Sequence, residues 1–118
     1  MAMLVQLIDD VVANKFELRQ GTLEIGRHPA SDIQIDDSAV SARHANLLVK
    51  PNEHFPQFNE YYLIDLNSTN GTFINDQRIN GTQRLHHNDQ VRIAWNQFKF
   101  VDNNEATLEK TAHIIPAV

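Results

Sequence analysis

Three short polar clusters carry the residue types from which an oxyanion site can be built: Gly26-Arg27, Ser41-Ala42-Arg43-His44, and Ser68-Thr69-Asn70-Gly71-Thr72. Arg27 offers a planar fork of N–H donors, which grips a phosphate in bidentate fashion better than a lysine would. Ser41 and Thr69 add hydroxyl donors, and Asn70 adds both an amide donor and a carbonyl acceptor. Gly26, at the end of an apolar run, permits unusual dihedrals and lets the next side chain project from a sheet rim, while Gly71 supplies the positive φ of a tight turn. His44 has two readings. As a general base it needs a nucleophile and an orienting carboxylate in reach; as a brace it needs only backbone partners across neighbouring loops. The apolar run Ala45 to Val49 follows it, so the brace is the expected role.

Taken singly, each cluster has an ordinary explanation. Arg27 can pair with Asp32 or Asp36 on the surface, and Asn70-Gly71 is a generic turn signal that recurs at Asn80-Gly81. Binding residues gain meaning when a rigid scaffold holds their loops together. Short apolar or alternating runs supply such a scaffold at Leu4 to Ile8, Phe16 to Leu18, Leu23 to Ile25, Ile33 to Ile35 and Ala45 to Val49. The pattern continues at Tyr61 to Leu66, Thr72 to Ile74, Arg78 to Ile79, Gln90 to Trp95 and Phe98 to Val101, each run bounded by Gly, Asn, Asp or Pro. Many short strands at this spacing predict an all-β sandwich or barrel.

Asn75-Asp76 tolerates the left-handed dihedrals of a tight hairpin, and a closing hairpin is expected around Asn96, with one buried face. Ser41 and His44 are expected at the start of a strand, which would put Arg43 on the same face as Ser41. Residues 51 to 60 contain two prolines and read as a long surface loop that cannot pair regularly. From Asp102 to Val118 the alternation is lost, and Glu105 to Lys110 can make a turn or so of helix. The expected division is therefore a domain over residues 1–101 and a tail over 102–118.

A chain of 118 residues with 42% hydrophobic and 21% charged residues has the makings of one self-folding domain. Its formal charge of −5 argues against broad attraction to nucleic acid or anionic membrane, so any anion site must be local. No window is apolar enough to span a bilayer, and Asp9-Asp10 interrupts the apolar start; a cytoplasmic setting is expected. The absence of cysteine excludes disulfides, thiolate metal sites and a cysteine nucleophile.

In order and spacing, Gly-Arg, Ser-x-x-His, Ser-Thr-Asn-Gly-Thr and the following Asn75 resemble the forkhead-associated (FHA) domain family. Ser31-Asp32-Ile33, Phe73-Ile74-Asn75 and Leu85 to Ile93 extend the similarity, which runs from about Val5 to Val101. The resemblance implies an antiparallel two-sheet β-sandwich whose loops at one end bind a phosphothreonine in an extended peptide. It implies that Arg27, Ser41 and Thr69 contact the phosphate, that Asn70 and Asn75 hold the peptide backbone, and that Gly26, His44 and Gly71 shape and brace the site. The implied protein is a non-enzymatic signalling adaptor without cofactor or metal, recruiting a partner phosphorylated by a Ser/Thr kinase. Neither nucleic acid nor membrane is an expected partner.

Two positions depart from the family pattern. Ala42 stands where an arginine, lysine or asparagine is common, which removes one contact and makes Arg43 a candidate substitute. Asn88 replaces a glycine before Asp89, a milder change because asparagine tolerates left-handed dihedrals. Two rival functions remain. Catalysis is disfavoured because the six histidines lack metal-ligand spacing and no phosphate-cradling Gly-Lys-Ser/Thr loop is present. A phospho-independent interaction or self-assembly module on the same fold is the stronger rival, and Ala42 makes it credible.

Overall fold

The computed structural model describes residues 2–104, which form two packed β-sheets. In chain order the strands are β1 (Ala2–Ile8), β2 (Val11–Leu18), β3 (Gly21–Gly26), β4 (Ile33–Gln34), β5 (Ala45–Pro51) and β6 (Asn59–Asp65). They are followed by β7 (Thr72–Ile74), β8 (Gln77–Arg78), β9 (Thr82–Leu85), β10 (Gln90–Ile93) and β11 (Asn96–Asp102). One sheet has the order β2-β1-β11-β10-β7-β8, the other β4-β3-β5-β6-β9. The pairing is antiparallel except for the short parallel ladder between β3 and β4, where Ile25 faces Ile33.

Alternation along each strand decides what enters the core. Leu4, Val91, Ile93, Phe98 and Phe100 project inward from the first sheet, and Ile25, Leu47, Val49 and Leu63 from the second; all are essentially inaccessible to water. The Tyr61 and Phe100 rings lie 5.0 Å apart across the interface, a tilted arrangement that suits the quadrupoles of aromatic rings.

Several boundaries differ from the sequence-based expectation, each for a local reason. β9 is a strand that periodicity misses, because only Leu85 of its four residues is buried and the strand lies at a sheet edge. β2 begins at Val11, five residues before the expected start, since an edge strand facing solvent needs no apolar alternation. The β10–β11 turn is centred on Ala94-Trp95 rather than Asn96: Ala94 takes φ 55°, and Asn96 already pairs with Ile93. The β5–β6 loop is shorter than 51 to 60, because Pro51 and Asn59 still face each other in register. Asn75 and Asp76, with φ 49° and 66°, make the expected tight turn, and Asn88 adopts φ 73°. Strand β11 runs to Asp102, and the helix expected at Glu105 to Lys110 lies outside the described residues. Among the described residues no helix is long and apolar enough to cross a membrane.

Candidate functional site

Three connections meet at one end of the sandwich: residues 27–32 after β3, residues 35–44 before β5, and residues 66–71 between β6 and β7. The last of these passes from one sheet to the other, so Asn70-Gly71 belongs to a crossing loop and not to a hairpin. Gly26 is required by space. A Cβ there would come within 2.2 Å of the Ala42 carbonyl oxygen, so the chain can approach this closely only without a side chain. The unusual dihedrals expected of Gly26 are not the reason, since its φ is not positive. The close approach allows the Arg27 N–H to donate to the Ser41 carbonyl at 3.1 Å and the His28 N–H to donate to the Ala42 carbonyl at 3.3 Å.

Arg27 is exposed and donates Nε–H to the Val40 carbonyl at 3.0 Å, which aims the guanidinium while leaving its Nη donors uncommitted to that bond. Among the described residues it forms no ion pair. Asp32, the surface partner considered above, is engaged by Arg19 at 3.0 Å and by the Glu24 N–H at 2.8 Å. Those bonds, the Glu24 amide first and Arg19 second, hold the Asp32 carboxyl below the usual aspartate range.

Ser41 connects the loops. Its Oγ accepts the Thr69 backbone N–H at 3.2 Å, and its own N–H donates to His44 Nδ1 at 3.1 Å. His44 is fully buried, and its Nε2 lies 2.8 Å from the Gly71 carbonyl. A backbone N–H can only donate and a carbonyl can only accept, so the bonding pattern assigns the proton to Nε2. Both ring nitrogens are thus occupied by backbone, as a brace requires. The loop in which Ser41 to Arg43 lie is irregular, and β5 begins only at Ala45.

Asn70 donates Nδ2–H to the Ala39 carbonyl at 2.7 Å, tying the crossing loop to residues 35–44. Gly71 takes φ 89°, and a Cβ there would meet the Phe73 ring at 2.8 Å. Beneath the loop Asp65 accepts hydrogen bonds from Ser68 Oγ at 2.5 Å and Thr72 Oγ1 at 2.7 Å. Asp37 accepts from the Ala39 N–H and from Asn96 Nδ2, both at 3.0 Å, and so joins residues 35–44 to the β10–β11 turn. These two carboxylates shape the site and were not singled out from sequence; Asp65, three residues before Ser68, carried a readable side-chain-to-backbone spacing, whereas the Asp37–Asn96 link spans 59 residues.

Arg27, Ser41, Thr69 and Asn70 therefore belong to one connected rim. Two candidates are not joined to it. Asn75 sits at the other end of β7, roughly 13 Å along the strand from Gly71 at the usual rise. Its Oδ1 accepts the Gln90 N–H at 2.9 Å and its Nδ2 donates to Asp89 at 3.0 Å, so this carboxamide ties the β7–β8 turn to the start of β10. Arg43 points to Glu24, with an Nη2 to Oε1 distance of 2.8 Å, because the irregular loop does not keep it on the same face as Ser41.

A family model described as the FHA domain matches residues 23–94. The oxoglutarate dehydrogenase inhibitor of Corynebacterium efficiens is 40% identical over 79 residues, covering 67% of this chain and 50% of that protein. Glycogen accumulation regulator GarA of Mycobacterium tuberculosis is 37% identical over 80 residues, covering 68% and 44%. The chain spans about half the length of these curated relatives. A solved structure from a study of phosphothreonine-dependent FHA domain interactions is similar with a TM-score of 0.70 and 26% identity, covering 86% of this chain and 96% of that one.

Proposed function

Because the chain belongs to the FHA domain family, we propose that it is a non-enzymatic adaptor that binds a phosphothreonine-containing segment of a partner phosphorylated by a Ser/Thr kinase. The observation that carries this reading is the position of Ser41, bonded through its carbonyl to Arg27 and through its hydroxyl oxygen to Thr69. One guanidinium and two hydroxyls thereby share a rim. Phosphothreonine brings roughly −1.5 to −2 charges and three acceptor oxygens. The Nη groups of Arg27 supply charge-assisted donors. Ser41 Oγ already accepts from Thr69, so its own O–H is available to donate, and the exposed Thr69 adds a second hydroxyl. Asn70 keeps its Oδ1 and one Nδ2 hydrogen for a bound backbone. The names of the inhibitor and regulator relatives, and the phosphothreonine-dependent interactions studied with the similar structure, support a regulatory binding role.

Calorimetric titration with matched phosphothreonine and threonine peptides tests this. Binding of the phosphorylated peptide alone, weakened about a hundredfold in Arg27→Ala, is expected from the loss of two charge-assisted bonds. A second reading, a phospho-independent interaction module, is favoured by the lack of a donor at Ala42 and by the commitment of Arg43 to Glu24. Equal binding of both peptides would establish that second reading.

A further inference from the structure

Beside the rim lies an apolar patch that the phosphate site does not use. Trp95, Ile8 and Val11 are 65%, 56% and 66% exposed, a concentration of large apolar side chains that a soluble surface ordinarily avoids. Ile8 and Val11 face each other across β1 and β2, and Ile8 and Trp95 line one open groove of about 540 Å³. Asp9 and Asp10 form its acidic wall. Among the described residues neither carboxylate has an ion-pair partner.

The patch is continuous with the rim. The residue before Trp95, Ala94, donates its N–H to the Gly71 carbonyl at 3.0 Å, and the residue after it, Asn96, donates to Asp37 at 3.0 Å. Resting on the phosphothreonine reading, we infer that this groove receives a second segment of the same phosphorylated partner, one that presents an apolar residue next to a lysine or arginine. The indole and Ile8 bury the apolar residue, and Asp9 and Asp10 attract the cation. A basic segment is complementary to a chain of charge −5, and the two carboxylates oppose an acidic one. Simultaneous engagement of both sites raises affinity without any change at the phosphate contacts.

Trp95 is the chain's single tryptophan, so its emission reports the groove directly. The probes are an oriented phosphothreonine peptide library varied on both flanks, and a phosphothreonine peptide with alanine flanks. Wild type should enrich aliphatic or aromatic residues beside Lys or Arg, bind the enriched peptide about tenfold more tightly than the alanine-flanked one, and shift its emission to the blue. Trp95→Ser and Ile8→Ser should lose that preference while binding the alanine-flanked peptide as wild type does. Asp9→Asn with Asp10→Asn should lose only the basic preference. Identical flank selection by wild type and Trp95→Ser overturns the inference. So does a concentration-dependent dimer in sedimentation that Trp95→Ser abolishes, since the groove would then belong to a second copy. Failure of the phosphate reading looks different: the enriched peptide would bind equally with and without phosphate, and Arg27→Ala would bind like wild type, while the blue shift persisted.

Discussion

At Arg27 the decisive quantity is how many donors remain after the fold has used one. Nε is committed to Val40, which fixes the direction of the group, and the Nη face carries the fork that matches a phosphate. Arg27→Lys keeps the charge but loses both the fork and the Val40 anchor. It should bind a phosphothreonine peptide roughly tenfold more weakly than wild type, intermediate between wild type and Arg27→Ala, as a titration series would show. His44 acts by a different route. Removing its ring leaves the half-buried Ser41 N–H and one acceptor position of the buried Gly71 carbonyl without their partner. His44→Ala should therefore cost about 2–6 kcal/mol of stability at roughly 1–3 kcal/mol per orphaned group, read as a lower urea midpoint. Residue types in the sequence marked the guanidinium after glycine as a candidate anion donor and the histidine ahead of an apolar run as a candidate brace. They could not announce that Asn75 has both ends of its carboxamide taken, because Asp89 and Gln90 reach it only through the pairing of β7 with β10.

Among the elements, the segment 35–44 is the one whose order controls the rim, and Asp37 holds it from both sides. The Ala39 N–H, and then Asn96, keep the Asp37 carboxyl below the ordinary aspartate range. A depressed folded-state pKa means that the stabilisation is fully present above the unfolded value and is lost as pH falls through the folded one. The segment should thus stay ordered at neutral pH and loosen below about pH 4. Following the Ala39 backbone-amide and the Asn96 side-chain-amide resonances during an acid titration checks this, and Asp37→Ala should show the loosened positions already at pH 7. Strand content was legible wherever one face is buried, as in β1, β5 and β11. It was illegible in β9 and in the first five residues of β2, whose exposed edges carry no periodic signal and are specified by hydrogen bonding to a neighbour.

Across the whole molecule the two sheets share a single core, so neither can persist without the other. Phe100 is fully buried in the first sheet and packs on Tyr61 of the second. Phe100→Ala should cost about 3–5 kcal/mol, a large part of the roughly 5–15 kcal/mol that holds a domain folded. Chemical denaturation of this variant should show one cooperative transition at a much lower midpoint, with near-ultraviolet ellipticity and peptide binding lost together. Independent loss of one sheet would contradict the shared core.

From composition, alternation and the order of Gly26-Arg27, Ser41 to His44 and Ser68 to Thr72, the all-β architecture and the donor types of a candidate oxyanion site were already readable, because these depend on residue type and local spacing. Convergence was not. Whether Arg27, Ser41 and Thr69 meet, why Gly26 must lack a side chain, and why Arg43 turns to Glu24 depend on how loops from two sheets pack against one another. Contacts between residues far apart in the chain exist only once the backbone closes around the core, and no local pattern encodes their distances.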